Sequence, residues 1–238
     1  FWFSLPLAVD AAAEREPVLL HIHDECRTPL AAAPTRTKRV SAADTAWSLS
    51  IPQGVRAVAV DACAMTGRSL VAVQRQRGDA TSVRMVVIGA AGTAIVEVAC
   101  WLTPPLVPAE LAQALRVLVR RAARRPRVLW VGGPARVAEV TAAMLSAVAE
   151  FVVIGHEDRQ AEHDVDGAVV DLSDPGFPTA QIESALVRAV AHDLPIIVIA
   201  SPSHTEPLVA ALNSAAPVDV AARLQKLVGP PRPSDGTP

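Results

Sequence analysis

Between residues 127 and 172 the chain runs RVLWVGG, then ARVAEVTAAMLSAVAE, then FVVIGHE and DGAVVDL, and this succession leaves few folds open. The apolar runs are short and bounded by turn residues, while the segment after the first keeps a helical period. Parallel strands joined by a crossover helix satisfy both features, so the fold class is α/β. A helix expected over 179–191 then leads through HDLP into another apolar strand, 196–199. Runs without polar alternation need cover on both faces. Strands 128–131, 151–154, 168–170 and 196–199 are therefore expected parallel in one sheet, the middle layer of a three-layer sandwich. Ligands of such a sheet approach its carboxyl edge, which would bring Gly132, His156, Asp171 and Ser201 together.

Upstream, residues 1–9 and 17–23 each suit a short strand. Residues 27–44 mix Pro, Ala, Thr, Lys and Arg without a period and read as a surface loop. Within it, Thr35 to Arg39 form a positive patch that is either a solvated face or a phosphate contact. Runs at 55–60, 69–74, 84–88 and 94–99, separated by Thr66-Gly67, Gly78-Asp79 and the glycine turn at 89–92, suggest an antiparallel meander. Pro104, Pro105 and Pro108 close it. A helix expected over 109–123 follows, with Arg120, Arg121, Arg124 and Arg125 at the end where the helix dipole favours positive charge. Later helices are expected at 206–213, behind a serine or threonine cap, and at 218–228. The change of pattern at 124–127 divides the chain into a mixed or antiparallel subdomain, 1–125, an α/β subdomain, 126–229, and a flexible tail, 230–238.

Composition narrows the function classes. Hydrophobic residues make up 51% of the 238, but aromatics are only 3% and tyrosine is absent, which leaves few large anchors for an interface. A formal charge of −2 gives no general attraction to nucleic acid. Three scattered cysteines form neither a disulfide framework nor a metal-ligand spacing, and fit a reducing compartment such as the cytoplasm. No apolar run reaches the roughly 20 residues of a membrane span. The opening FWFSLPLAVDAAA lacks a starting methionine and a basic flank, and reads as an internal start in preference to a signal remnant.

Two turns carry phosphate-binding features. Gly132-Gly133 lets a strand turn sharply into a helix whose amide end can face an anion; its bland reading is a tight turn. GGPAR lacks the GK[ST] of a P-loop and the third glycine of a dinucleotide fingerprint. Asp61 ends the strand RAVAV, and Thr66 follows five positions later, so the pair could bracket a magnesium-bound phosphate, or Asp61 could be an ordinary strand-end residue. In order, DACAMT (Asp61 to Thr66), VGGPAR (Val131 to Arg136) and DGAVV (Asp166 to Val170) resemble the second half of the nucleotide-binding domain of the Hsp70 and actin superfamily. That resemblance covers roughly 55–172. It implies that Asp61, Thr66, Gly132, Gly133 and Arg136 flank a nucleotide. The phosphate-loop glycines of that group are missing here, which leaves loss and retention of ATP turnover both open.

Residues 127–228 also resemble a response-regulator receiver domain. The resemblance makes Asp171, in VVDLSDPG, the phosphorylatable aspartate and Ser201, in IIVIASP, the hydroxyl residue after the fourth strand. Receivers hold magnesium with an acidic pair after their first strand; this chain has Gly132 and Gly133 there. Lys226 lies inside a helical run rather than after a fifth strand. Read by itself, Asp171 is a loop residue capping the DPG turn.

The histidines make the case for an enzyme. His21 and His23 point to one side of a strand, with Asp24 and Cys26 nearby, and two imidazoles so placed can reach one metal ion. Together with His156, Glu157, Asp158, His163, His192 and His204, they resemble a thinned metal-dependent amidohydrolase or phosphoesterase complement; their bland reading, which is preferred, is solvated or locally hydrogen-bonded histidines. Each enzyme reading lacks an essential group. The expectation is thus a non-catalytic regulatory or protein-interaction module, with a protein partner or a second copy of itself and no assigned cofactor. A nucleotide- or metal-dependent hydrolase is the alternative.

Overall fold

A computed structural model describes residues 19–23, 37–41, 51–52, 54–64, 73–75, 83–89, 91–119, 125–154, 165–201 and 203–229. Its strands are β1 (Leu19–His23), β2 (Thr37–Ser41), β3 (Ala57–Asp61), β4 (Arg84–Ile88), β5 (Ile95–Leu102), β6 (Arg127–Gly132), β7 (Glu150–Ile154), β8 (Gly167–Asp171) and β9 (Ile196–Ile199). They join into one sheet in the order β2-β1-β3-β4-β5-β9-β8-β6-β7, continuous across residue 125 through the pairing of β5 with β9. As expected, β6, β7, β8 and β9 are mutually parallel, and Gly132, Asp171 and Ser201 fall at their carboxyl edge. His156 lies outside the described residues, as do the expected strand 1–9 and the tail.

The amino-terminal half departs from the expected meander. β1 to β4 are parallel neighbours, and only β4 and β5 run antiparallel, through a turn in which Gly92 has φ +68°. The reason is burial: residues 57–60 and 85–88 are covered on both faces, the condition of central parallel strands. Of the strand expected at 69–74, the described residues 73–75 are helical. Val73 is buried there, and Gln74 Oε1 accepts the amide of Trp101 at 2.6 Å. The described pairing of β5 with β4 goes no further than Glu97, and beyond it a side chain serves that amide instead of a strand. Inside the expected loop 27–44 lies β2, TKRVS. An edge strand needs no apolar face on both sides, and its Lys and Arg discourage further pairing while hiding the strand signal.

Helices α1 (Pro108–Val119), α2 (Ala135–Met144), α3 (Thr179–Ala191), α4 (Glu206–Ser214) and α5 (Val220–Val228) supply the outer layers. One face of the sheet forms a continuous core, from Leu20 and Val58 to Leu129 and Val170, with Leu186 of α3 and Leu208 of α4. The opposite face is divided. Leu111, Leu115 and Leu118 of α1 and Ala138 of α2 cover Trp130 and Val169, while Val220, Leu224 and Val228 of α5 cover Ala57, Ala59 and Val86. Asp219 caps α5 by accepting from the Ala222 amide at 2.9 Å. The hydroxyl cap expected for α4 is absent: Thr205 makes no side-chain bond, and Pro207 in the first turn removes one amide that would need it.

The strand order conceals a repetition. Counted from its own edge, each half presents four parallel strands as second, first, third, fourth: β2-β1-β3-β4 and β7-β6-β8-β9. Registers agree as well. Ile22 lies beside Val60 and Asp61 beside Ile88; Val131 lies beside Val170 and Asp171 beside Ile199. Asp61 and Asp171 thus hold equivalent places, as do His21 and Trp130. Because β5 is antiparallel to β4 and parallel to β9, the two units point opposite ways and their carboxyl edges lie on opposite sides of the sheet.

Candidate functional site

In each unit the second and third strands lie on opposite sides of the first, which makes the carboxyl edge between first and third the place where open α/β sheets take their ligands. Asp171 stands at this point in the second unit. Gly132 (φ +93°) pairs with it across the sheet, and Gly133 (φ +68°) follows, both in backbone conformations that favour glycine. A Cβ on Gly132 would strike the Asp171 carbonyl, and one on Gly133 would strike its carboxylate. The double glycine therefore serves as a bed for Asp171.

Asp171 is 2% exposed, and its Oδ1 accepts from the Ser173 amide at 2.9 Å. Burial pushes the carboxyl above its ordinary 3.8, the bonds from Ser173 oppose that rise, and Asp174 adds to it. The cap of the DPG turn is a different residue: Asp174 Oδ1 accepts the Gly176 amide at 2.8 Å. Ser201 lies at the same edge, exposed, with its Oγ 3.0 Å from that of Ser203. Arg136 is exposed in the first turn of α2. Gly132, Gly133 and Asp171 thus form one contact set, with Ser201 and Arg136 on its rim.

The equivalent place in the first unit is polar. His21 Nε2 lies 2.9 Å from Asp61 Oδ1, and the rings of His21 and His23 are 5.8 Å apart. His21 is 2% exposed, and its Nδ1 has no hydrogen-bond partner. Thr66, Asp24 and Cys26 lie outside the described residues. Among the described residues no three His, Cys, Asp or Glu side chains are grouped to hold a metal ion. Asp61 and Gly132, which the Hsp70 and actin resemblance brings to one nucleotide, end strands at opposite edges of the sheet.

Sequence reasoning did not anticipate three features. The Gly133–Asp171 contact joins positions with no local spacing signal. Arg39 was assigned to a loop, yet it is aligned beside His21 in the β1–β2 register. Val137, Val140 and Met144 of α2 are 43%, 53% and 64% exposed, an apolar flank at helical spacing beside the buried Ala138 and Thr141. That spacing was visible in ARVAEVTAAM, but periodicity does not tell a covered stripe from an open one.

Comparison with protein-family models, curated proteins and solved structures finds no match for this chain. The fold by itself defines a class, an α/β protein of two like units sharing one sheet, with a switch point at either edge. No described helix is long and apolar enough to cross a membrane.

Proposed function

We propose that this chain is a non-catalytic regulatory or protein-interaction module built on a receiver-like α/β scaffold, acting through its surfaces and not through turnover at Asp171. One observation carries the reading: the carboxylate that the receiver resemblance makes a phosphoryl acceptor is 2% exposed, tied to the Ser173 amide and seated on Gly133. The turn opposite, Gly132-Gly133, offers no side-chain oxygen to hold the magnesium that would neutralise an incoming phosphoryl group. The open apolar flank of α2 supports a protein partner, since isolated exposed side chains are ordinary but an aligned set of three on one helix is what a partner covers. The thiols of Cys63 and Cys100 agree with a reducing compartment such as the cytoplasm.

The test is incubation with acetyl phosphate and magnesium followed by intact-mass measurement. No stoichiometric adduct is expected. An adduct that disappears in Asp171→Asn would establish a functioning receiver and overturn the reading.

A further inference from the structure

The repetition supplies an internal comparison: the same fold positions appear twice in one chain, once with two histidines and an arginine beside the aspartate and once with Trp, Gly and Val beside it. Aligned neighbours on parallel strands point to the same face. Arg39 lies beside His21 and Ser41 beside His23; His21 lies beside Ala59, and one step beyond the Ile22 and Val60 pair His23 meets Asp61. Arg39, Ser41, His21, His23 and Asp61 therefore share one face at the carboxyl end of the first unit. In the second unit Trp130 replaces His21, Val153 replaces Arg39 and Gly132 replaces His23, while the aspartate is kept. Trp130 is fully buried against Phe151, with ring centroids 5.9 Å apart.

Folding therefore does not require polarity at these places, because the second unit closes the same sheet with Trp and Val. Burying a polar ring without complete hydrogen bonding is costly. Both units leave one buried ring nitrogen without a partner, Nδ1 of His21 and Nε1 of Trp130, but only His21 has its other nitrogen engaged by a carboxylate, that of Asp61. An exposed Arg39 and a half-buried His23 flank it on the open side. A carboxylate that orients one imidazole, a second imidazole and a guanidinium make a receptor for a small oxyanion. The guanidinium fork suits two oxygens, and an imidazole N–H of His23 takes a third; His21, whose Nε2 faces the Asp61 carboxylate, can donate from Nδ1 as well only when its ring holds both protons. A metal ion fits less well, since no third protein ligand is grouped with the two histidines among the described residues and Arg39 adds positive charge.

We propose that the first unit binds a phosphate-type oxyanion at its switch point, through Arg39, His21 and His23 with Asp61 positioning His21, and that the second unit is the apolar structural copy of that site. The inference is independent of the non-catalytic reading of Asp171, because the two concern opposite edges of the sheet and different probes.

Calorimetric titration of the full chain with inorganic phosphate tests it, with adenosine monophosphate in a parallel run. Saturable one-site binding of phosphate is expected. Arg39→Ala and His23→Ala should each weaken it at least tenfold, Arg39→Lys should retain part, and Asp171→Asn should leave it unchanged. Circular dichroism melts confirm that each variant is folded; both substituted side chains reach the surface, so the fold does not depend on them for its core. Equal affinity for the two ligands assigns free phosphate, and tighter binding of the nucleotide assigns a phosphate ester. Absence of saturable binding of either ligand, affinity unmoved by Arg39→Ala and His23→Ala, or zinc bound stoichiometrically in place of phosphate would overturn the proposal.

Discussion

Gly133 and Asp171 occupy one another's space: the position of a Cβ on the glycine is already filled by the carboxylate of the aspartate. Gly133 also has φ +68°, where a side chain costs roughly 1–2 kcal/mol before any clash. Gly133→Ala is expected to destabilise the protein by about 3 kcal/mol or more in urea unfolding. Adding Asp171→Ala should return part of that loss, with a coupling on the order of 1–3 kcal/mol. Strict additivity of the two substitutions would show that the contact does not constrain the turn.

Asp171 should also make stability depend on pH in an unusual direction for a carboxylate. Its folded value is raised by burial, so the folded state prefers the neutral acid. The associated stability is fully present below the ordinary 3.8 and is lost as pH climbs through the raised folded value. Asp171→Asn keeps an oxygen for the Ser173 amide and cannot ionise. Urea midpoints of the two proteins should nearly coincide at pH 3, and the Asn variant should lead at pH 7. A gap that narrows toward neutral pH would reverse the sign and refute the burial argument.

Two buried tryptophans differ in one bond. Trp101 Nε1 donates to the Ala200 carbonyl at 3.1 Å, fastening β5 to the end of β9, whereas Trp130 Nε1 has no partner. Replacement by Phe removes a similar volume at both sites. At Trp101 it strands an acceptor, and at Trp130 it relieves an unsatisfied donor. Trp101→Phe is expected to cost about 1–3 kcal/mol more than Trp130→Phe. Equal losses would mean that packing alone decides both.

Arg223 joins α5 to the rest of the fold. Its guanidinium donates to the carbonyls of Val190 at 2.5 Å, Ala191 at 3.3 Å and Ile95 at 3.4 Å, so it adds a charged donor to the end of α3, where the Asp193 amide also reaches Val190 at 3.5 Å. Arg223→Ala should cost about 2 kcal/mol, and Lys should recover about half, because it keeps the charge but not the fork. Thermal melts of the two variants give the comparison; a lysine as damaging as alanine would show that only the planar donor geometry matters.

The second half of the fold was legible in the sequence because its strands are apolar throughout and its helices keep their period. Val128, Val169 and Ile197 announce two-sided burial by themselves. In the first half the same architecture was hidden. β2 is an edge strand of Thr, Lys, Arg and Ser, and the link from β3 to β4 contains the helical Val73 in a run that also suits a strand. Periodicity reports burial, and an edge strand has little to report. The site was legible only in its ingredients. Asp61, Asp171, Gly132 and His21 each attracted notice, but which pairs meet is a property of register. Asp61 meets His21, and Asp171 meets Gly133, across separations that no local motif spans.

The place of β9 has a consequence for synthesis. It is the last of the described strands in chain order, yet it lies between β5 and β8 near the middle of the sheet. Until Ile196–Ile199 has left the ribosome, β5 and β8 each present an open backbone edge on strands that are almost wholly buried and mostly apolar in the finished fold. Such edges invite pairing with other chains. A nascent chain stopped short of β9 is thus a sticky intermediate, and the cell has reason to shield this protein until β9 is made.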